Sequence, residues 1–126
     1  LRAKGKGFTP LPVTMNPLDA SLGDKVHVFS HPSRHFYVLS EGIISRKYLD
    51  STNKEGPRRM ISITADFAKG SSGSPVFNEY GAVIASVNNT QSIYYNVKKD
   101  GTKDNLQMVF KNTVSLEHLR TLVKAK

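Results

Sequence analysis

The sequence predicts an all-β domain, a barrel or sandwich of six to eight short strands, with a single helix at its C-terminal end. Three observations carry that prediction. Apolar and β-branched residues recur with a period of two, as they do in strands that bury one face. Turn formers punctuate these runs at short intervals. Only the tail spaces its apolar residues for a helix.

The elements follow in order. The turn Leu22-Gly23-Asp24 opens a run in which Val26 and Val28 alternate with His27 and Phe29, and His31-Pro32-Ser33 closes it. Tyr37 to Ser45 is a long β-branched and aromatic stretch. The polar segment Asp50 to Arg59, with Glu55-Gly56-Pro57 inside it, reads as an exposed hairpin loop and not as a domain linker. Met60 to Thr64, Val76-Phe77, Ala82 to Val87, Ser92 to Val97 and Leu106 to Phe110 are the remaining strand-like runs, with a turn at Tyr80-Gly81. Asp100-Gly101 predicts a two-residue hairpin of type I′, which needs φ > 0 at both central residues. Val114, Leu116, Leu119, Leu122 and Val123 form one stripe of a helix over 113–125. Asn112, Thr113 or Ser115 is placed to cap its start, and Lys124 and Lys126 suit the negative end of its dipole.

Composition narrows the function classes. The 126 residues make one domain, 38% hydrophobic and 22% charged, with no internal repeat. There is no cysteine, which excludes disulfides, thiol nucleophiles and cysteine-based zinc sites. The formal charge of +8 is scattered over Arg2, Lys4, Lys6, Arg46, Lys47, Arg58, Arg59, Lys98, Lys99, Lys103, Lys124 and Lys126. Scattered charge is the pattern of a solvated surface, and the aromatic and glycine signature of an RNA-binding sheet is missing, so no nucleic acid is expected as a partner. No run approaches the roughly 20 apolar residues of a membrane span, so no membrane is expected either. The first residues are no signal peptide, and the chain begins at Leu1 without an initiator Met, as expected of a piece of a longer protein. His27, His31 and His35 are four apart, but Pro32 disfavours the helix that would align them, and no metal or other cofactor is expected. His118 is expected to face solvent. Gly5 and Gly7 lack the Lys-Ser/Thr of a phosphate loop, and no carboxylate pair is arranged for glycosidic work. Asn88-Asn89-Thr90 fits the glycosylation triplet, which is common by chance.

The chemically informative stretch is Gly70-Ser71-Ser72-Gly73-Ser74-Pro75. A glycine two residues before a serine permits a backbone conformation in which the N–H groups of residues 70 and 72 point the same way. Two convergent N–H groups beside a hydroxyl make an oxyanion hole beside a nucleophile. Gly73 leaves room beside the serine, and Pro75 fixes the exit of the chain into the next strand.

This stretch resembles the G-x-S-G-[GS]-P motif of the trypsin-like, chymotrypsin-fold serine peptidases, particularly their cysteine-free bacterial branches, HtrA-like and glutamyl-endopeptidase-like. The likeness runs from about residue 9 to residue 124. Ser21-Leu22-Gly23-Asp24-Lys25-Val26, His31-Pro32 and Ser40-Glu41-Gly42-Ile43-Ile44-Ser45 resemble the opening of the family's second barrel. Gly81-Ala82-Val83-Ile84 resembles the strand that walls the specificity pocket, and Met108-Val109-Phe110 with the following helix resembles the family's ending. The resemblance implies a six-stranded antiparallel Greek-key β-barrel, the C-terminal barrel of the chymotrypsin fold, with a C-terminal α-helix. It implies Ser72 as catalytic nucleophile, the backbone N–H groups of Gly70 and Ser72 as oxyanion hole, and a specificity pocket formed by Asp66, Phe67, Ala85, Ser86 and Val87. Asp66 lies six residues before Ser72, where trypsin places the carboxylate that binds Arg or Lys; the competing reading is a loop aspartate paired with Lys69.

The family's histidine and aspartate belong to a first barrel, upstream of every segment matched here, and Leu1-Arg2-Ala3 could be only the far edge of the strand that carries the aspartate. The expectation is therefore the nucleophile-bearing half of a serine endopeptidase, nearly inert alone. Its expected partners are a polypeptide substrate, the N-terminal barrel of the same chain, and a second copy of itself through the uncovered face. The alternative is a non-catalytic module that holds peptides by strand addition. The absence of cysteine fits a periplasmic or secreted bacterial enzyme, and fits the cytoplasm equally.

Overall fold

The structure, a computed structural model, describes residues 4–14, 16 and 20–124. Leu1, Arg2, Ala3 and Lys126, which entered the sequence reading, lie outside these residues. Six strands, β1 (Lys25–Ser30), β2 (Val38–Asp50), β3 (Arg58–Ile63), β4 (Pro75–Asn78), β5 (Val83–Val97) and β6 (Lys103–Ser115), precede one helix, α1 (Leu116–Lys124). They close into a barrel in the order β1-β2-β3-β6-β5-β4, and every neighbouring pair is antiparallel. This is the six-stranded Greek-key barrel the resemblance implied: two three-stranded meanders, joined at the β3–β6 and β1–β4 seams.

The period of two becomes the core. Val26 and Val28 of β1 point inward with Ile44 of β2, Ile61 and Ile63 of β3, Val76 of β4, and Ile84 and Val87 of β5, and all are buried. Gly42 is needed where β2 passes the chain leaving β3: a Cβ there would lie 2.2 Å from the Ala65 backbone nitrogen. Residues 12–14 run beside the start of β5, where Val83 N–H donates to the Pro12 carbonyl at 2.8 Å. Among the described residues no helix is long and apolar enough to cross a membrane.

Three local expectations are corrected. The runs Ala82 to Val87 and Ser92 to Val97 are one strand, β5, paired to β6 throughout, with bulges at Val87/Asn89 and Ile93/Tyr94. The polar residues 88–91 that seemed to separate them mark where β5 leaves the barrel and both of its faces meet water, so the alternation lapses while the ladder continues. The hairpin turn is not type I′. Only Gly101 has positive φ, Gly101 N–H donates to the Lys98 carbonyl and Lys98 N–H to that of Thr102, both at 2.9 Å. That is a type I turn closed by a left-handed glycine. Asp100 Oδ1 accepts from Thr102 N–H at 2.9 Å, which holds the carboxyl below the usual carboxylate range. Finally, the helix starts at Leu116 and not at 113, because Thr113 and Val114 still pair in β6. Ser115 is the cap, its Oγ accepting from His118 N–H at 3.2 Å. Leu122 and Val123 of the predicted stripe stay exposed, and His118 is half-buried.

Candidate active site

The connection from β3 to β4 carries residues 70–74. It is fastened by its own turns and by β5. Ser71 N–H donates to the Ala68 carbonyl and Ser74 N–H to the Ser71 carbonyl, both at 3.0 Å. Gly73 N–H donates to the Val87 carbonyl and Val87 N–H to the Ser74 carbonyl, both at 2.9 Å. These bonds turn Ser71 inward, fully buried with no protein partner for its hydroxyl, and Ser72 outward into solvent. Ser72 Oγ donates to the Asn88 carbonyl at 3.3 Å, a long bond that a stronger acceptor can replace.

Gly70 takes φ +99°, a region that side-chain-bearing residues avoid. A Cβ there would also stand 2.9 Å from the His31 carbonyl oxygen, so the β1–β2 connection lies directly against it. Ser33 N–H donates to the Lys69 carbonyl at 2.7 Å and locks the two loops together. The β1–β2 loop is itself strained, with Ser33, Arg34 and Tyr37 all at positive φ. Its His31, Phe36 and Tyr37 rings cluster with Phe29 at centroid separations of 5.5 to 6.4 Å. The N–H groups of Ser71, Gly73 and Ser74 are engaged, whereas those of Gly70 and Ser72 have no acceptor among the described residues.

Beside Ser72 is a recess of about 250 Å³, walled by Phe67, Ala68 and Lys69 on one side and by Val87, Asn88, Asn89 and Thr90 on the other. Of the expected pocket residues, Phe67 and Val87 line it. Ala85 and Ser86 do not; they pair with Val76 and Pro75 in the barrel wall. Asp66 is not at its base. Its carboxylate points outward, 86% exposed, and pairs with Lys111 Nζ at 2.7 Å, a partner other than the Lys69 of the competing reading. Lys69 instead is among the residues lining the recess. A larger groove, about 830 Å³, lies between the β2–β3 loop and α1 and carries no serine.

The histidines go elsewhere. His27 Nε2 bonds Glu41 Oε2 at 2.9 Å, His31 Nδ1 accepts from Tyr37 N–H at 3.0 Å, and His35 Nδ1 lies 3.2 Å from the Pro32 carbonyl. Among the described residues no histidine bonds Ser72, and no three metal-binding side chains gather. Sequence reasoning missed two contributors, the His31 and Asn88 carbonyls. Both act through backbone atoms, which residue types do not reveal; the only sign of the first was the His31-Pro32 turn.

Residues 1–85, through the 70–75 motif, match the model of the trypsin-like peptidase domain. The chain belongs to that family. No curated protein sequence matches it. Among solved structures, this trypsin-like domain is similar to Rv3671c from M. tuberculosis, crystallised as a serine-to-alanine mutant in an inactive form, with a TM-score of 0.68 and 17% identity. The match covers 92% of this chain and 52% of that one, so the trypsin-like domain described here spans about half the length of that neighbour.

Proposed function

We propose that this trypsin-like domain carries the nucleophile, oxyanion hole and part of the specificity pocket of a serine endopeptidase. The observation that carries the reading is the pair of unengaged N–H groups on Gly70 and Ser72, flanking an outward hydroxyl, while the neighbouring N–H groups of Ser71, Gly73 and Ser74 are tied down. Ser72 Oγ attacks the scissile carbonyl, the two N–H groups bind the developing oxyanion, and water releases the acyl group. A serine hydroxyl needs a base to take its proton. With no histidine on Ser72, the proposal draws that base and its carboxylate from a first barrel outside these residues. The 126 residues alone are then nearly inert, since loss of a triad member costs on the order of 10⁴ in rate. Lys69 beside the recess, with Asp66 turned away, favours a polar or acidic side chain before the cleaved bond over a basic one.

The test is a fluorophosphonate probe on the full-length protein. Labelling at Ser72, and loss of peptide cleavage in Ser72→Ala, are expected; full cleavage by Ser72→Ala overturns the reading. A second reading, a peptide-binding module without catalysis, is favoured by the Ser72 bond to a carbonyl, which activates nothing. It predicts peptide binding with no labelling.

A further inference from the structure

The β1–β2 ladder ends at the pair Ser30 and Val38. One position further, a side chain takes over where a backbone bond would continue the strands: His31 Nδ1 accepts from Tyr37 N–H at 3.0 Å. A neutral imidazole can accept at Nδ1 only in the tautomer whose proton sits on Nε2. The ring is packed against Phe36 and Tyr37, each at 5.5 Å between centroids, and edge-on to Phe29 at 6.4 Å. The bond closes a loop that is costly to keep closed, since Ser33, Arg34 and Tyr37 all hold positive φ.

The same loop sets the direction of one peptide at the candidate site. Ser33 N–H donates to the Lys69 carbonyl at 2.7 Å. That carbonyl and the Gly70 N–H belong to one planar trans peptide unit, so they point in opposite directions. While the loop holds the Lys69 oxygen, the Gly70 N–H faces away from it. The His31 carbonyl, 2.9 Å from where a Gly70 Cβ would stand, braces the same residue. A protonated imidazole carries hydrogen on both nitrogens and has nothing to offer the Tyr37 N–H. Two donors then face each other at the bond that closes the loop.

The charged and titratable groups around the ring are Arg34 and His35 in its own loop, the Tyr37 ring against it, Lys69 on the β3–β4 connection, and His27, Glu41 and Lys25 farther down the same face of β1 and β2. No carboxylate among the described residues bonds His31, because Glu41 is taken by His27 at 2.9 Å and Lys25 at 3.6 Å. We propose that His31 is a positioning residue: its neutral imidazole, by accepting the Tyr37 N–H, holds the β1–β2 loop in the form that aims the Gly70 N–H, and protonation of Nδ1 releases that hold. The loss of an oxyanion site in acid rests on the peptidase reading; the coupling of the two loops through His31 does not.

The experiment measures the rate of fluorophosphonate labelling at Ser72 in the full-length protein. His31→Phe keeps a ring in the aromatic cluster but has no acceptor, and is expected to label about fivefold more slowly at about pH 8. His31→Asn, whose amide oxygen can accept the Tyr37 N–H and does not titrate, is expected to keep the rate of the unaltered protein there. Dividing the rate of the unaltered protein by that of His31→Asn at each pH cancels the titration of the base that activates Ser72. The ratio is expected near one at about pH 8 and to fall about fivefold by about pH 5. Glu41, held below the usual carboxylate range, stays ionised at that pH in both proteins. A ratio that does not change with pH, His31→Phe as fast as the unaltered protein, or His31→Asn as slow as His31→Phe overturns the proposal. If no protein labels at Ser72, the peptidase reading falls and amide exchange on the same proteins decides the coupling. Protection lost together over 31–37 and 68–72 in His31→Phe, and restored in His31→Asn, supports it; a change confined to 31–37, or none, overturns it.

Discussion

Two adjacent serines differ in what surrounds them, and the difference is testable. Ser71→Ala removes a buried hydroxyl that has no protein partner, so stability is expected to stay level or rise by up to about 1 kcal/mol in urea titration, with probe labelling intact. Ser72→Ala removes the outward hydroxyl and is expected to abolish labelling while leaving stability within about 0.5 kcal/mol. Gly70→Ala pairs a left-handed φ with a contact to the His31 carbonyl. It is expected to cost about 1–3 kcal/mol and to suppress labelling, since relief of the strain turns the residue 70 N–H away. Asp66→Asn, by contrast, is expected to leave the preference at the cleaved bond unchanged in a peptide panel, because its carboxylate belongs to Lys111 and not to the recess. Acid acts elsewhere. The bond from His27, and then the charge of Lys25, hold the Glu41 carboxyl below its usual range. A lowered folded-state pKa gives stability that is present above the unfolded value and is lost as pH falls through the folded one. The β1–β2 pairing is therefore expected to loosen below the usual carboxylate range, as faster amide exchange in β1, and less steeply in Glu41→Gln.

At the scale of elements, the root of the β5–β6 ribbon is held by a polar chain. Ser62 Oγ donates to Asn112 Oδ1 at 2.8 Å, and Asn112 Nδ2 to Asn89 Oδ1 at 3.1 Å, linking β3, β6 and β5 at the bulge where β5 leaves the barrel. Asn112→Leu strands the buried Ser62 hydroxyl and is expected to cost about 1–3 kcal/mol by denaturant titration. Asn112 also shows what was legible. As a residue type it read as a helix cap, because cap formers are recognised by type and by the apolar stripe that follows. Its role as a cross-strand link depends on β3, fifty positions away, which local spacing cannot report. The strands themselves were legible wherever one face is buried, as at Val26 and Val28, and in the ribbon at Ser92 to Val97 and Leu106 to Phe110, but not over 88–91, where the alternation lapses. The motif at 70–75 singled out Ser72, the serine the structure turns outward, because its glycines answer to backbone geometry. Of the five residues expected around the recess, Phe67 and Val87 line it, following from their positions beside the loop, whereas the direction of Asp66 is set by Lys111 on β6.

For the whole molecule, the exposed aromatic cluster is a departure from an ordinary surface. Phe36 and Tyr37 are 70% and 75% exposed next to the loop that braces Gly70. Apolar clusters of this kind mark contact surfaces. The 126-residue chain is expected to self-associate in sedimentation velocity as its concentration rises, and Phe36→Ser with Tyr37→Ser to return it to monomer; a clean monomer at high concentration counts against this. Barrel closure carries a consequence in time. Each meander joins strands that are near in sequence, and hairpins of that kind form in about 1–10 μs. Both seams bring together residues fifty positions apart, Ser62 with Asn112 and His27 with Phe77. Neither seam completes the core until the other meander is in place, so refolding is expected on the millisecond-to-second scale of barrels rich in distant pairings. The loop that carries Ser72 spans the two meanders, from β3 to β4. Its geometry is thus acquired last, and the hydroxyl of Ser72 is presented only by a chain that has finished folding.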